Sequence, residues 1–226
     1  MAQRNYYLVS ALPSLGDLGA VPPMTLADLR EHAQDHPRPR AIIDAFLLGD
    51  DLAQRDAFLA GETQEVAPTV LTPGQVRDEE PMPAPLAPEE EAAAARIAAD
   101  TVWAAYFRHV AAVAAREGSP LLAAWVDHEV ALRNALATAR ARALGLEPAD
   151  YVVAAELAAT DGDFEPLLND WAASANPLEG LKVLDRARWQ WLTENEAWFS
   201  FGDDELAAYA AKLMLVVRWH RLSQAT

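Results

Sequence analysis

Apolar positions recur at helical spacing along most of this chain, and the clearest repeat runs over residues 120–145, PLLAAWVDHEVALRNALATARARALG. Ser119 stands where an N-cap is needed, Pro120 takes the first helical position and Gly145 supplies the stop. Strong helix formers, Ala, Leu and Arg, fill the interval. At about 100° per residue, Trp125, Leu132, Leu136, Ala139 and Ala143 share one stripe. Glu129 projects into that stripe, with Arg133 and Arg140 on the same side. A buried carboxylate needs a partner, because an unpaired buried charge is costly. Arg133, four residues on, is spaced for a helical ion pair in the better orientation. The stretch therefore reads as a structural helix with one paired charge, set against a catalytic carboxylate as the competing reading.

The remaining segments follow the same rule. Thr25 and Asp28 open a helix through Leu26, Leu29 and Ala33 that ends near His36 at the turn HPRP. A second helix over 41–61 carries Ile43, Phe46, Leu47, Phe58 and Leu59, and Gly49 inside it marks a kink or split. Residues 61–88 hold Pro68, Pro73, Pro81, Pro83, Pro85 and Pro88 with the acidic run Asp78, Glu79, Glu80. That composition predicts a surface connection with at most one short helix over 73–78. Glu89, Glu90 and Glu91 open a long helix to about Arg116, acids at its positive end and a base at its negative end. Trp103, Tyr106, Phe107, Val110 and Val113 form its buried face, and the short loop 117–119 makes it an antiparallel neighbour of 120–145.

Pro148 begins a further helix through Tyr151, Val152 and Leu157, and Asp163 caps a short one over 165–173. A terminal helix over 203–222 buries Leu206, Tyr209, Leu213, Val217 and His220. Only residues 6–12, YYLVSAL, read as extended or as a short strand. The expectation is an all-α, multi-helix bundle of one or two lobes forming a single domain over 1–226. It comprises a helical lobe over 1–60, the Pro-rich acidic connection 61–88 and a main helical lobe over 89–226.

Charge narrows the partners. Thirty-four acidic against 18 basic side chains give a formal net charge of −16. Such a chain is a poor match for nucleic acid or an anionic membrane surface, and favours solubility and a basic protein partner. With no cysteine there is neither a disulfide nor a thiol nucleophile, which suits the cytoplasm. No window reaches about 18 uninterrupted apolar residues, so no membrane span is expected.

Candidate chemistry is sparse. His32 and His36 lie four apart and offer a metal pair with Asp28 or Asp35, against a solvated helix face. Residues 161–165, DGDFE, look like a calcium-loop fragment, but the other ligand positions are missing and a turn with a helix cap fits better. Trp189 and Trp191 lie beside Arg186 and Arg188, so cation–π contact stands beside ordinary core packing. Gly-rich phosphate loops, a nucleophile elbow and zincin spacing at His128-Glu129 are all missing. No catalytic, cofactor-binding or metal residues are expected, and the chain does not read as an enzyme.

Three segments carry a resemblance. In the central helix, Trp125, Asp127, Asn134, Leu136, Arg140, Arg142 and Gly145 are similar to the helix signature of the C/d adaptor of V/A-type ATPases. The opening has Tyr6, Tyr7 and Leu8 followed by Leu12-Pro13. The end has Asp185, Trp189, Trp191, Trp198, Phe199, Phe201, Leu206, Arg218 and Trp219. Beginning and end resemble a bacterial family of uncharacterised proteins associated with V-type ATPases, itself similar to the C/d adaptor; residues 61–88 lie outside the likeness. The resemblance implies a non-catalytic helical adaptor that couples the central stalk to the membrane rotor ring. Its partners would be the stalk and ring proteins, and its location cytoplasmic, peripheral to the inner membrane through the complex. A free-standing helical protein-binding module derived from that adaptor is the alternative.

Overall fold

The computed structural model describes residues 5–87, 98–159 and 162–224, and among these every regular element is helical. The order is α1 (Tyr6–Ser10), α2 (Leu26–His32), α3 (Pro37–Leu59), α4 (Pro73–Val76), α5 (Ala98–Glu117), α6 (Pro120–Ala143), α7 (Glu165–Ala172), α8 (Pro177–Asn195) and α9 (Asp203–Gln224). The chain is an all-α multi-helix bundle. Helix α3 packs against both α5 and α9, α6 closes on α5 and α9, and the α7–α8 hairpin leans on α6 and α9. One core gathers Phe46, Leu52, Tyr106, Leu122, Trp125, Leu192 and Leu213 from five of these helices. A smaller cluster of Leu132, Leu136 and Leu184 seats α7 through Phe164, Leu168 and Trp171.

The helix ends follow their cap chemistry. In α2 the Thr25 hydroxyl accepts from Asp28 N while Asp28 accepts from Thr25 N, each at 3.0 Å. In α6 the Ser119 hydroxyl accepts from Leu122 N at 3.1 Å. At the far end Gly145 takes a left-handed φ of 69°, letting Leu146 N reach Ala141 O at 2.8 Å and Gly145 N reach Arg142 O at 3.1 Å. The carboxylate of Asp204 accepts the Ser119 hydroxyl, tying the start of α9 to the start of α6.

Several expectations need correction. Residues 6–10 are helical rather than extended, because their partners lie across the molecule. Asn5 N donates to Phe201 O at 2.6 Å, the Tyr6 and Phe201 rings lie 4.5 Å apart, and Leu8 is buried. Tertiary contact therefore overrides β propensity. The second helix begins at Pro37, four residues early, with proline in its first turn. Beyond Pro148 the chain forms two 3₁₀ turns, Pro148–Tyr151 and Ala155–Leu157, instead of an α-helix. Asn134 clamps Val153 with two hydrogen bonds of 2.8 and 2.9 Å, and Ala154 turns left-handed at φ 45°, which breaks any continuous helix there. Asp163 accepts from Glu165 N at 3.0 Å, although α7 itself starts after Phe164. The acidic start expected at Glu89–Glu91 and Asp161 of the DGDFE stretch lie outside the described residues.

Gly49 does not split α3, which runs unbroken through it. Its value is space: a Cβ there would sit 2.7 Å from the Tyr106 hydroxyl oxygen and 3.3 Å from its Cζ. Tyr106 is buried, and its hydroxyl donates to Ala45 O at 3.2 Å, so the ring has little room to retreat. Gly49→Ala is therefore expected to lose about 1 kcal/mol, overpacking outweighing the helix propensity gained. In a Tyr106→Phe background, which removes the 2.7 Å contact and keeps the 3.3 Å one, the loss should shrink, as urea denaturation of both pairs would show.

The Pro-rich connection contains its expected short helix, α4, and also joins the core. Leu71, Val76 and Leu86 are buried, each contributing about 1.5–3 kcal/mol over exposure. Asp51, fully buried on α3, staples it: Oδ1 accepts from Thr69 N at 2.8 Å, and Oδ2 accepts from Val70 N at 2.7 Å and Leu71 N at 2.8 Å.

Candidate functional site

Three features concentrate the chemistry of the molecule: a chain of largely buried charges, a slot along α6, and an aromatic turn before α9.

The charge chain alternates in sign across four helices. From α6, Glu129 receives both Nε and Nη2 of Arg188 on α8, at 2.8 and 3.0 Å. Arg188 Nη1 continues to Asp185 at 3.1 Å. Asp185 also accepts from Arg218 Nη1 at 3.3 Å and from the Trp219 indole N–H at 3.1 Å. Arg218 reaches Asp50 on α3 at 3.5 Å, and Arg221 closes the chain on Asp50 at 2.6 Å. Three carboxylates face three guanidiniums, so the interior carries no net charge from the set. For Asp50, burial pushes the carboxyl upward, but Arg221, Arg218 and the hydrogen bonds of Arg221 and Gln54 overcome it and hold it below the ordinary aspartate value. Burial disfavours the Arg188 cation, yet Glu129 and Asp185 more than compensate and push its value up.

Glu129 is thus a largely buried, paired carboxylate, but its partner is not Arg133. Arg133 turns outward to Asp100 at 3.2 Å and lies 4.5 Å over the Trp103 ring. Of the other central-helix positions, Trp125 is core, with ring centroids 5.6 and 5.5 Å from those of Phe46 and Trp191. Leu136 is buried, Asn134 clamps the following loop, and Asp127 and Arg142 are exposed.

The slot lies between α3, α5, α6, α8 and α9, with a volume of about 610 Å³. Phe46, Tyr106, Phe107, Trp125 and Met214 form its deep wall, and Glu129 with Arg188 present the edge of their ion pair to it. Small residues, Ala53, Ala137 and Ala141, leave the space open. No sequence motif announces it, although small residues on the facing sides of α3 and α6 are the trace it leaves.

The aromatic turn spans 196–202. Phe199 and Phe201 both adopt left-handed backbone, φ 55° and 52°, a conformation costly for bulky residues. Glu205 holds it by accepting from Phe201 N at 2.6 Å. The result exposes Trp198 by 68% and Phe199 by 79%. Beneath them Lys212 is buried, paired with Glu196 at 2.6 Å and lying 5.2 and 5.7 Å from the Trp189 and Trp198 rings. Trp189 and Trp191 pack against the core, and the cation over Trp189 is Lys212 rather than its neighbours Arg186 or Arg188; Arg186 lies 5.5 Å over Trp219 instead.

The expected histidine pair is not on one helix and does not converge on a site: His32 ends α2, whereas His36 lies beyond it and precedes α3. His32 Nε2 lies 2.8 Å from Leu8 O, and among the described residues no three His, Asp or Glu side chains gather to hold a metal ion. No helix among the described residues is long and apolar enough to cross a membrane. No family model, no curated protein and no solved structure matches the chain.

Proposed function

We propose that this chain is a non-catalytic component of a bacterial V/A-type ATPase, resembling the C/d adaptor, that couples the central stalk to the membrane rotor ring. The observation that supports the reading is how the resembling segments meet. Asp185, Arg218 and Trp219 of the end segment join at one carboxylate, and Arg188 links them to Glu129 on the central helix. The opening segment docks on the same end through Tyr6 and Phe201, at 4.5 Å. Passing torque requires a body that does not shear, and ion pairs linking α3, α6, α8 and α9 oppose the sliding of one helix past another. On this reading ATP chemistry and ion passage belong to other components of the machine. The protein is cytoplasmic and held at the inner membrane through the complex.

The exposed Trp198–Phe199 pair favours a second reading, a free-standing helical protein-binding module derived from that adaptor. Affinity purification of the tagged protein from gently solubilised native membranes separates the two. Stalk and rotor-ring proteins at near-equal stoichiometry are expected. Recovery without any ATPase component would sink the adaptor and leave the module.

A further inference from the structure

We infer that the slot along α6 is a binding site for a small organic anion with an aromatic or aliphatic body, its acid group held by Arg140 and its body lying on the aromatic wall. Three observations converge on that ligand.

The first is shape. Trp125, Glu129, Arg133, Ala137, Arg140 and Leu144 all line the slot, rising along one face of α6 in steps of three and four residues. At about 1.5 Å per helical residue that face is roughly 28 Å long. The volume of 610 Å³ lies within the range of sites for drug-sized molecules.

The second is charge. The chain has 18 basic side chains against 34 acidic ones, yet the slot is lined by four arginines and only two acids, Asp100 and Glu129. Arg188 and Arg218 are neutralised by Glu129, Asp185 and Asp50, and Arg133 shares Asp100. Arg140 differs. Its guanidinium lies 5.0 Å over the Trp171 ring, and no carboxylate of the described residues comes within ion-pair distance. A guanidinium held in place beside an apolar slot, with no carboxylate to neutralise it, attracts an anion locally, against the protein's negative net charge.

The third is the character of the walls. Phe46, Phe107, Trp125, Leu184 and Met214 offer apolar surface. A fully hydrated ion such as inorganic phosphate would leave that surface unused. An acid carrying a ring or a short chain covers it and still reaches Arg140.

The probe pair is 8-anilino-1-naphthalenesulfonate, an aromatic anion, and N-phenyl-1-naphthylamine, the same ring system without the sulfonate. Fluorescence and calorimetric titration of the protein should give one equivalent of the anion bound and at least about tenfold weaker binding of the neutral ring. Arg140→Gln should weaken the anion about tenfold and leave the neutral ring within about twofold. Ala137→Trp, which fills the slot, should abolish both while far-UV circular dichroism stays unchanged. Equal binding of the two probes, or an anion affinity that ignores Arg140→Gln, would overturn the anion assignment. Retained binding in a folded Ala137→Trp protein would overturn the site. Arg140 is exposed and stands over Trp171 without an ion-pair partner among the described residues, so its variant keeps the test valid if Ala137→Trp fails to fold.

Discussion

Asp185→Ala is expected to destabilise the protein by about 3–5 kcal/mol, the cost of removing one partner from a buried ionic network. Asp185 is fully buried on α8 and accepts from Arg188, Arg218 and the Trp219 indole at 3.1, 3.3 and 3.1 Å. Alanine leaves two guanidiniums to compete for Glu129 and Asp50 and leaves the indole N–H without its acceptor. Asp185→Asn keeps the volume and an acceptor for Trp219, so whatever loss it retains belongs to the missing charge. Equilibrium urea denaturation near neutral pH measures both. A loss below about 1 kcal/mol for alanine would place the network among solvated ion pairs, which contribute little. Acid tests the same network at another of its carboxylates, Asp50. Asp50 is held below its ordinary value, so its contribution is present above the unfolded-state pKa of about 4 and is lost as pH falls below it.

Where helical spacing or a cap decides the structure, the residues announced it. Thr25 with Asp28, Ser119 with Pro120, and Gly145 each stand where the helix ends are found. The inward position of Glu129 was legible too, because an acid on an apolar stripe has one face to turn to. Its partner was not. Spacing along α6 brings Arg133 forward as the nearest cation, whereas the bidentate partner is Arg188, 59 residues away on a helix whose packing angle no local pattern encodes. Asp50 and Asp51 show the same limit. Adjacent acids in an apolar run signal something buried, but only the tertiary structure sends one to two arginines and the other to three backbone amides. The left-handed pair Phe199 and Phe201 contradicts local preference outright, and the Glu205 carboxylate that holds it lies beyond the turn. The slot had no local signature, because a cavity belongs to five helices at once.

Asp51→Ala is expected to cost about 3 kcal/mol at neutral pH. A buried donor left without an acceptor, here the Leu71 amide, costs about 1–3 kcal/mol, and the half-buried amides of Thr69 and Val70 add less. All three amides are at stake, and with them the docking of Leu71, Val76 and Leu86 on the core. The same carboxyl makes a signed prediction about pH. Burial pushes it up to about 6 from an ordinary 3.8, outweighing the hydrogen bonds from Leu71, Thr69 and Val70 that favour its charge, and neighbouring Asp50 adds to the rise. A folded-state value above the unfolded one means that the folded protein binds the extra proton. The associated stabilisation is therefore fully present below about pH 4 and is lost as pH rises through about 6. The stability gap between wild type and Asp51→Ala should widen on going from pH 7 to pH 4, by about 2–3 kcal/mol. Urea denaturation of the two proteins at several pH values reads this directly, because titrations common to both cancel in the difference. A gap that narrows toward pH 4 would mean that the three amides win over burial and keep Asp51 ionised in acid, reversing the sign of its contribution.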